Sequence, residues 1–257
     1  ETVAVYTVLR SKALVDQALP PEFTGNLLLT FGLLSFIVAS LFILIQHNYK
    51  RLFAYSSIEH MGLAMIGFGV GGMVGTFGGL FHLLNHAVAK ALAFFVAGNI
   101  HRRFDTLEID GVRGVARAQP ITAVAILVAG CALVGLPPFS PFVSELLIVS
   151  AVAAQDFASD TMHVGRFVTM TISDEMRSLG IVALFLLFSV VLFGGFMFRI
   201  GAMVWGTPPA GIAQGESWTV GHVPLMIMLV ALLGLGFMLP EPIQTLLTRA
   251  VNVIVVR

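Results

Sequence analysis

Three titratable side chains recur every four residues in the run Phe81-His82-Leu83-Leu84-Asn85-His86-Ala87-Val88-Ala89-Lys90. On a helix this spacing puts His82, His86 and Lys90 on one face, about 6 Å apart along the axis. That is too far for direct hydrogen bonds, but one or two waters between neighbours would complete a chain of proton carriers. Histidine suits the task because it titrates at about pH 6.5, and lysine can join only if burial lowers its pKa. Glu59-His60 and Glu145 are further ionisable residues inside apolar surroundings. A lone histidine in such a place is often only an interhelical hydrogen bonder. Three such groups on one face, a lysine among them, are hard to explain by packing, and ionisable residues within a membrane are read first as functional. His-x3-His can also hold a metal or a haem, but one apolar helix without an added Cys, Asp or Glu ligand makes that weak. Glu59 follows Ser56-Ser57 near the start of its segment and can equally face headgroups or water.

The elements that must position these groups follow from composition. Of 257 residues, 57% are hydrophobic and 11% charged, against roughly 25% charged in a soluble domain. Mean hydropathy is +0.94. So few charges cannot cover a soluble fold of this size. The 14 basic and 14 acidic residues cancel, leaving no nucleic-acid footprint. The single Cys131 excludes an intrachain disulfide. The chain reads as an all-α, multi-pass membrane protein. A bilayer core needs about 20 helical residues, and six segments meet that length, at 24–46, 52–71, 76–99, 120–150, 179–205 and 222–247. Residues 1–10 read as the end of a preceding helix. No sheet is expected.

The fourth segment is too long for one straight span. Its middle, Gly135-Leu136-Pro137-Pro138-Phe139-Ser140-Pro141, loses three backbone donors and must break within 134–141. A broken helix is tolerated in a membrane where it is buried in protein or lines a wet cavity. Pro141 suits the first turn of a new half-helix, and Glu145 lies just beyond it. The half-helix dipole favours an anionic carboxylate there, while apolar surroundings favour the neutral acid. The basic residues of short loops place Lys50 and the 100–119 loop in the cytoplasm and the C-terminus outside. The longest loop, 151–178, reads as a short surface helix or a solvated loop.

Longer motifs are more specific. The stretch Tyr49-Lys50-Arg51-Leu52-Phe53-Ala54-Tyr55-Ser56-Ser57-Ile58-Glu59-His60-Met61-Gly62 resembles the one marking antiporter-like subunits of respiratory complex I, Mrp antiporters and membrane-bound hydrogenases. The block from His82 through Lys90-Ala91-Leu92-Ala93-Phe94-Phe95 to Gly98-Asn99 and the block Gly135-Leu136-Pro137-Pro138-Phe139…Ser144-Glu145 resemble the same family, in the same order. With Phe198-Arg199 and Met203-Val204-Trp205-Gly206, the sequence is most similar to the F-type membrane subunits of hydrogenase-4 complexes.

The resemblance implies two inverted five-helix repeats, each with a broken helix, and protons crossing by a central row of charged residues. By that likeness residues 1–12 end the eighth helix, 24–205 form the second repeat, and 222–247 form a final helix, so the chain corresponds to a C-terminal half. His60 and His86 match the family's central histidines, Lys90 a lysine of some members, and Glu145 the terminal Lys or Glu of the broken helix. His82 belongs with them, and Lys50 and Glu59 are possible accessories. The family's eighth-helix lysine would fall at Thr2, with Glu1 beside it. The implied function is proton translocation by a non-redox subunit of a hydrogenase-4-like or NADH-quinone oxidoreductase-like complex. No cofactor or metal is expected in the subunit, and its partners would be other membrane subunits in the cell inner (cytoplasmic) membrane. Two other functions stay open: an Mrp-type cation/proton antiporter and a haem-binding anchor using His60 and His86.

Overall fold

The computed structural model describes residues 2–154, 161–164, 168–171 and 174–255. Its helices are α1 (Thr2–Val15), α2 (Pro21–Leu44), α3 (Tyr49–Val70), α4 (Gly72–Phe104), the single turn α5 (Val115–Ala118), α6 (Pro120–Leu133), α7 (Ser140–Ala154), α8 (Asp174–Val204), α9 (His222–Phe237) and α10 (Glu241–Val255). Local chemistry sets the boundaries. Pro21 and Pro120 stand in the first turns of α2 and α6, where a missing N–H costs nothing. The Asn48 side chain caps α3 by accepting from the N–H groups of Lys50 and Arg51. Gly71, at φ +72°, lets the chain turn from α3 straight into α4 with no loop.

α2, α4 and the stretch Glu175–Val204 are long and apolar enough to cross a membrane by themselves. α3 has 22 residues but carries the polar run from Ser56 to His60. α6 and α7 are short apolar helices on either side of the expected break, which falls between Leu133 and Ser140.

The fold is of the all-α membrane class, but two details differ from expectation. Residues 222–247 do not form one final helix: α9 and α10 meet at 69°. Pro240 and Pro242 remove two donors where a straight helix would need them, so the chain restarts at Glu241. Nor is the chain wholly free of sheet. Within the 151–178 loop, β1 (Thr161–Val164) and β2 (Val168–Thr171) pair antiparallel, Thr161 opposite Thr171 and Val164 opposite Val168. The runs Thr-Met-His-Val and Val-Thr-Met-Thr are rich in β-branched residues, and a hairpin satisfies its own backbone in pairs. The loop's remaining residues, 155–160, 165–167 and 172–173, lie outside the described residues.

The bundle is held by close backbone approach. Gly25 and Gly32 on α2 face Gly69 and Gly62 on α3. A β-carbon placed on Gly62 would stand 2.6 Å from the Gly32 carbonyl oxygen, and one on Gly32 would stand 2.7 Å from that of Gly62. Between membrane helices, where lipid is as apolar as leucine, such small-residue seams supply the packing that drives association. The main core, including Leu52, Phe53, Leu92, Val96, Ile126, Leu133, Phe196 and Ile200, joins α3, α4, α6 and α8. The two helix breaks also touch. Gly236, near the end of α9, abuts the Pro138 carbonyl and leaves no room for a side chain.

The 206–221 loop docks on the start of α6. Glu216 accepts from the Thr122 N–H at 3.0 Å and the Thr122 hydroxyl at 2.6 Å, and its Oε1 lies 2.9 Å from His222 Nε2. Burial pushes the Glu216 carboxyl up, but the hydrogen bonds from Thr122 and His222 outweigh it and hold it below its usual value. The ionised, docked form is therefore favoured over the undocked one, which titrates at about pH 4.3. This stabilisation is complete above that pH and is lost as pH falls through the lower, docked value. Melting of the purified protein in detergent should lose stability in this acid window, and Glu216→Gln should flatten the loss. Superimposable acid profiles for the two proteins would refute the latch.

Candidate proton-relay site

The α4 residues do share one inward face, but they do not work as a simple row. His82, Asn85, His86 and Lys90 all point into the bundle and are buried. His60, from α3, stands between His82 and His86, with its ring centroid 5.0 Å from that of His82 and 4.9 Å from that of His86. His60 Nδ1 and His82 Nε2 are 2.9 Å apart. A second helix thus fills the gap that the four-residue spacing leaves on α4.

One assignment of the hydrogens satisfies the Ser144 end of the string. The Ser144 hydroxyl, on α7, donates to the Pro141 carbonyl at 2.8 Å, so its oxygen can only accept. His82 Nδ1, at 3.0 Å, and the Asn85 amide, at 3.1 Å, both supply it with hydrogens. In that assignment His82 carries its hydrogen on Nδ1, its Nε2 is bare, and His60 Nδ1–H donates to it. The outer nitrogen of His60, Nε2, is left bare and lies 3.7 Å from Glu59 Oε2. Every N–H in the string points from Glu59 toward Ser144.

Glu59 is only 1% exposed. It faces the cluster rather than headgroups or water, and it lies within Coulombic reach of Lys90 and Glu145. Lys90 donates to the Phe53 carbonyl and the Ser56 hydroxyl on α3. The sequence Lys90, His86, Glu59–His60 and His82 therefore climbs the α3–α4 seam from the second turn of α3 to its middle. Lys50 is not part of it. It lies in the first turn of α3, about 14 Å along the axis from Glu59, and is partly exposed.

Glu145 is half-buried. Its carboxylate packs against Gly135, where φ is +64° and a side chain would collide with it. A carboxylate oxygen of Glu145 and ring nitrogens of His60 and His82 all lie within 4.8 Å of one another. The break therefore has a local purpose: it brings the second half-helix, with Ser144 and Glu145, against the histidines. Asn85 fastens this junction by donating to the Ser140 carbonyl at 2.9 Å. The Leu133 carbonyl, at the end of α6, faces the His60 ring.

Sequence reasoning missed Ser144, Asn85 and Ser56. Each is adjacent to a titratable residue or lies inside a titratable run, but hydroxyl and amide groups are common on membrane helices, and their partners come from other helices. The haem reading meets a geometric obstacle. The His60 and His86 ring centroids are 4.9 Å apart, which leaves no slot for a macrocycle between these two rings as they stand.

This fold and polar seam define an antiporter-type membrane subunit. Residues 1–173 match the family described as NADH:quinone oxidoreductase/Mrp antiporter, TM, and the chain belongs to that family. It is 37% identical over 153 residues to "Hydrogenase-4 component F homolog" of Methylacidiphilum infernorum (isolate V4), a match covering 60% of this chain and 32% of that one. It is 31% identical over 184 residues to "NAD(P)H-quinone oxidoreductase chain 4 1" of Synechococcus elongatus, covering 71% of this chain and 33% of the relative. The matches thus span about a third of these curated relatives. Among solved structures, one of an archaeal respiratory membrane complex, the membrane-bound sulfane sulfur reductase, superimposes with a TM-score of 0.72 at 28% identity, over 90% of this chain and 42% of that one. These relatives are named as components or chains of larger complexes.

Proposed function

We propose that the chain belongs to a proton-translocating membrane subunit of a hydrogenase-4-like or quinone-reductase-like complex of the cell inner membrane. The observation that carries this reading is the His60–His82–Ser144 string, which hydrogen-bonds three helices into one polarised path beside Glu145. A proton delivered from Lys90 by way of His86 or Glu59 enters at the bare His60 Nε2. His60 passes its Nδ1 hydrogen to His82 Nε2, and His82 passes its own to the Ser144 oxygen while the Ser144 hydroxyl turns away from the Pro141 carbonyl and gives its hydrogen up toward Glu145. The path works by exchange between ring nitrogens, which suits a proton and has no use for a sodium ion.

Acidification of inverted vesicles carrying the intact complex tests the path. Lys90→Ala should cut proton uptake several-fold while leaving subunit abundance near wild type. The reason is that Lys90 stands at the start of the proposed path, where its ammonium group donates to the Phe53 carbonyl and the Ser56 hydroxyl. Parallel loss of abundance and uptake would make Lys90 a structural strut.

A further inference from the structure

We infer that His60, His82 and Glu145 form a binding site for a borderline divalent cation, Zn²⁺ being the natural probe. Two imidazole nitrogens and a carboxylate are a ligand set that zinc takes when it keeps a fourth, open position. The geometry is nearly in place. At zinc–nitrogen distances of about 2.0–2.1 Å, tetrahedral ligands stand about 3.3 Å apart. The facing nitrogens, His60 Nδ1 and His82 Nε2, are at 2.9 Å, so an ion replaces one hydrogen bond at the cost of a small opening. A carboxylate oxygen of Glu145 lies within 4.8 Å of a ring nitrogen of each histidine.

The outer partners are also those a metal site requires. His82 Nδ1–H is fixed by Ser144, which leaves Nε2 ready to ligate. His60 must move its hydrogen from Nδ1 to Nε2. That nitrogen faces the Glu59 carboxylate at 3.7 Å, an acceptor for the displaced hydrogen. Glu145 as ligand and Glu59 behind His60 together supply two negative charges to balance the ion in a buried setting. The four-residue repeat on α4 pointed to His82 with His86. The structure instead assigns the ligands across three helices, and His86 is not among them.

Zinc in this position occupies the nitrogens between which the proposed proton transfer runs, so it should block transport. That consequence rests on the proposed function, whereas binding itself does not. Equilibrium dialysis of the purified intact complex against Zn²⁺ should find one ion per copy of this chain that is missing in His82→Gln and in Glu145→Gln. Ser144→Ala should weaken it about 10-fold, and His101→Gln, remote at the end of α4, should leave it unchanged. Co²⁺ should give the intense visible absorption of a low-coordinate site in wild type and not in His82→Gln. Co-elution of the variant subunit with its complex guards against misfolding. Zinc uptake and affinity equal in wild type, His82→Gln and Glu145→Gln would overturn the site, whatever happens to pumping. Chain-specific binding that leaves wild-type pumping untouched would uphold the site and count against the proton path.

Discussion

Glu145→Gln will leave the subunit in its complex and reduce proton uptake about 100-fold, the scale on which a positioned acid or base contributes. Glutamine has the size of the native side chain and can still lie against Gly135. It can also still offer polar atoms to the histidines within 4.8 Å. What it cannot do is accept a proton and give it up. Glu145→Asp keeps that capacity with a shorter reach and should retain part of the flux. The opposing view, a carboxylate that merely caps a half-helix, predicts that neither change matters, because Gln serves a polar surface as well as Glu. Vesicle acidification normalised to subunit abundance separates the two, and wild-type flux in the Gln variant would remove Glu145 from the path.

The second large effect is structural. Gly62→Val should reduce the membrane-inserted subunit to a trace. The β-carbon alone would stand 2.6 Å from the Gly32 carbonyl oxygen and 2.9 Å from the Phe36 nitrogen, and both are backbone atoms that cannot rotate away. Overpacking of this kind costs up to about 3 kcal/mol, about a hundredfold in the ratio of folded to unfolded subunit. The seam cannot simply open, because α3 carries Glu59 and His60 on the same turns and any shift also displaces the relay. Gly98→Ala is the matched control, as a β-carbon there meets nothing within 4 Å. Immunoblots of washed membranes would check both, and normal abundance of the Val variant would show that the glycine seam is dispensable.

How much of this could be read beforehand depended on whether a feature is local. The broken helix was legible because Pro137, Pro138 and Pro141 fall inside one apolar run. The bend at Pro240 and Pro242 was not, since residues 222–237 already look long enough to reach the middle of a span and apolar residues resume beyond. The hairpin was missed because strand propensity over a short piece of a long loop, Thr161 to Thr171, carries little weight against an otherwise helical chain. At the site, titratable residue types gave away His60, His82, His86, Lys90 and Glu145. Their order did not follow, because spacing on α4 says nothing of which α3 side chain enters the gap. Gly25, Gly32, Gly62 and Gly69 carried a readable signal, a seven-residue step on each of two helices. Small residues, however, show their purpose only when the facing helix is known.

If protons pass as proposed, the one-way alignment of hydrogens from His60 through His82 to Ser144 has a consequence for turnover. Each passage leaves both rings with their hydrogens on the opposite nitrogens, so the string keeps a memory of the charge it has carried. A second proton cannot follow in the same direction until both rings turn over. The two rings show no solvent-exposed surface, and such rotation requires α3, α4 and α7 to loosen around them. Throughput is then counted in helix movements rather than in diffusing protons.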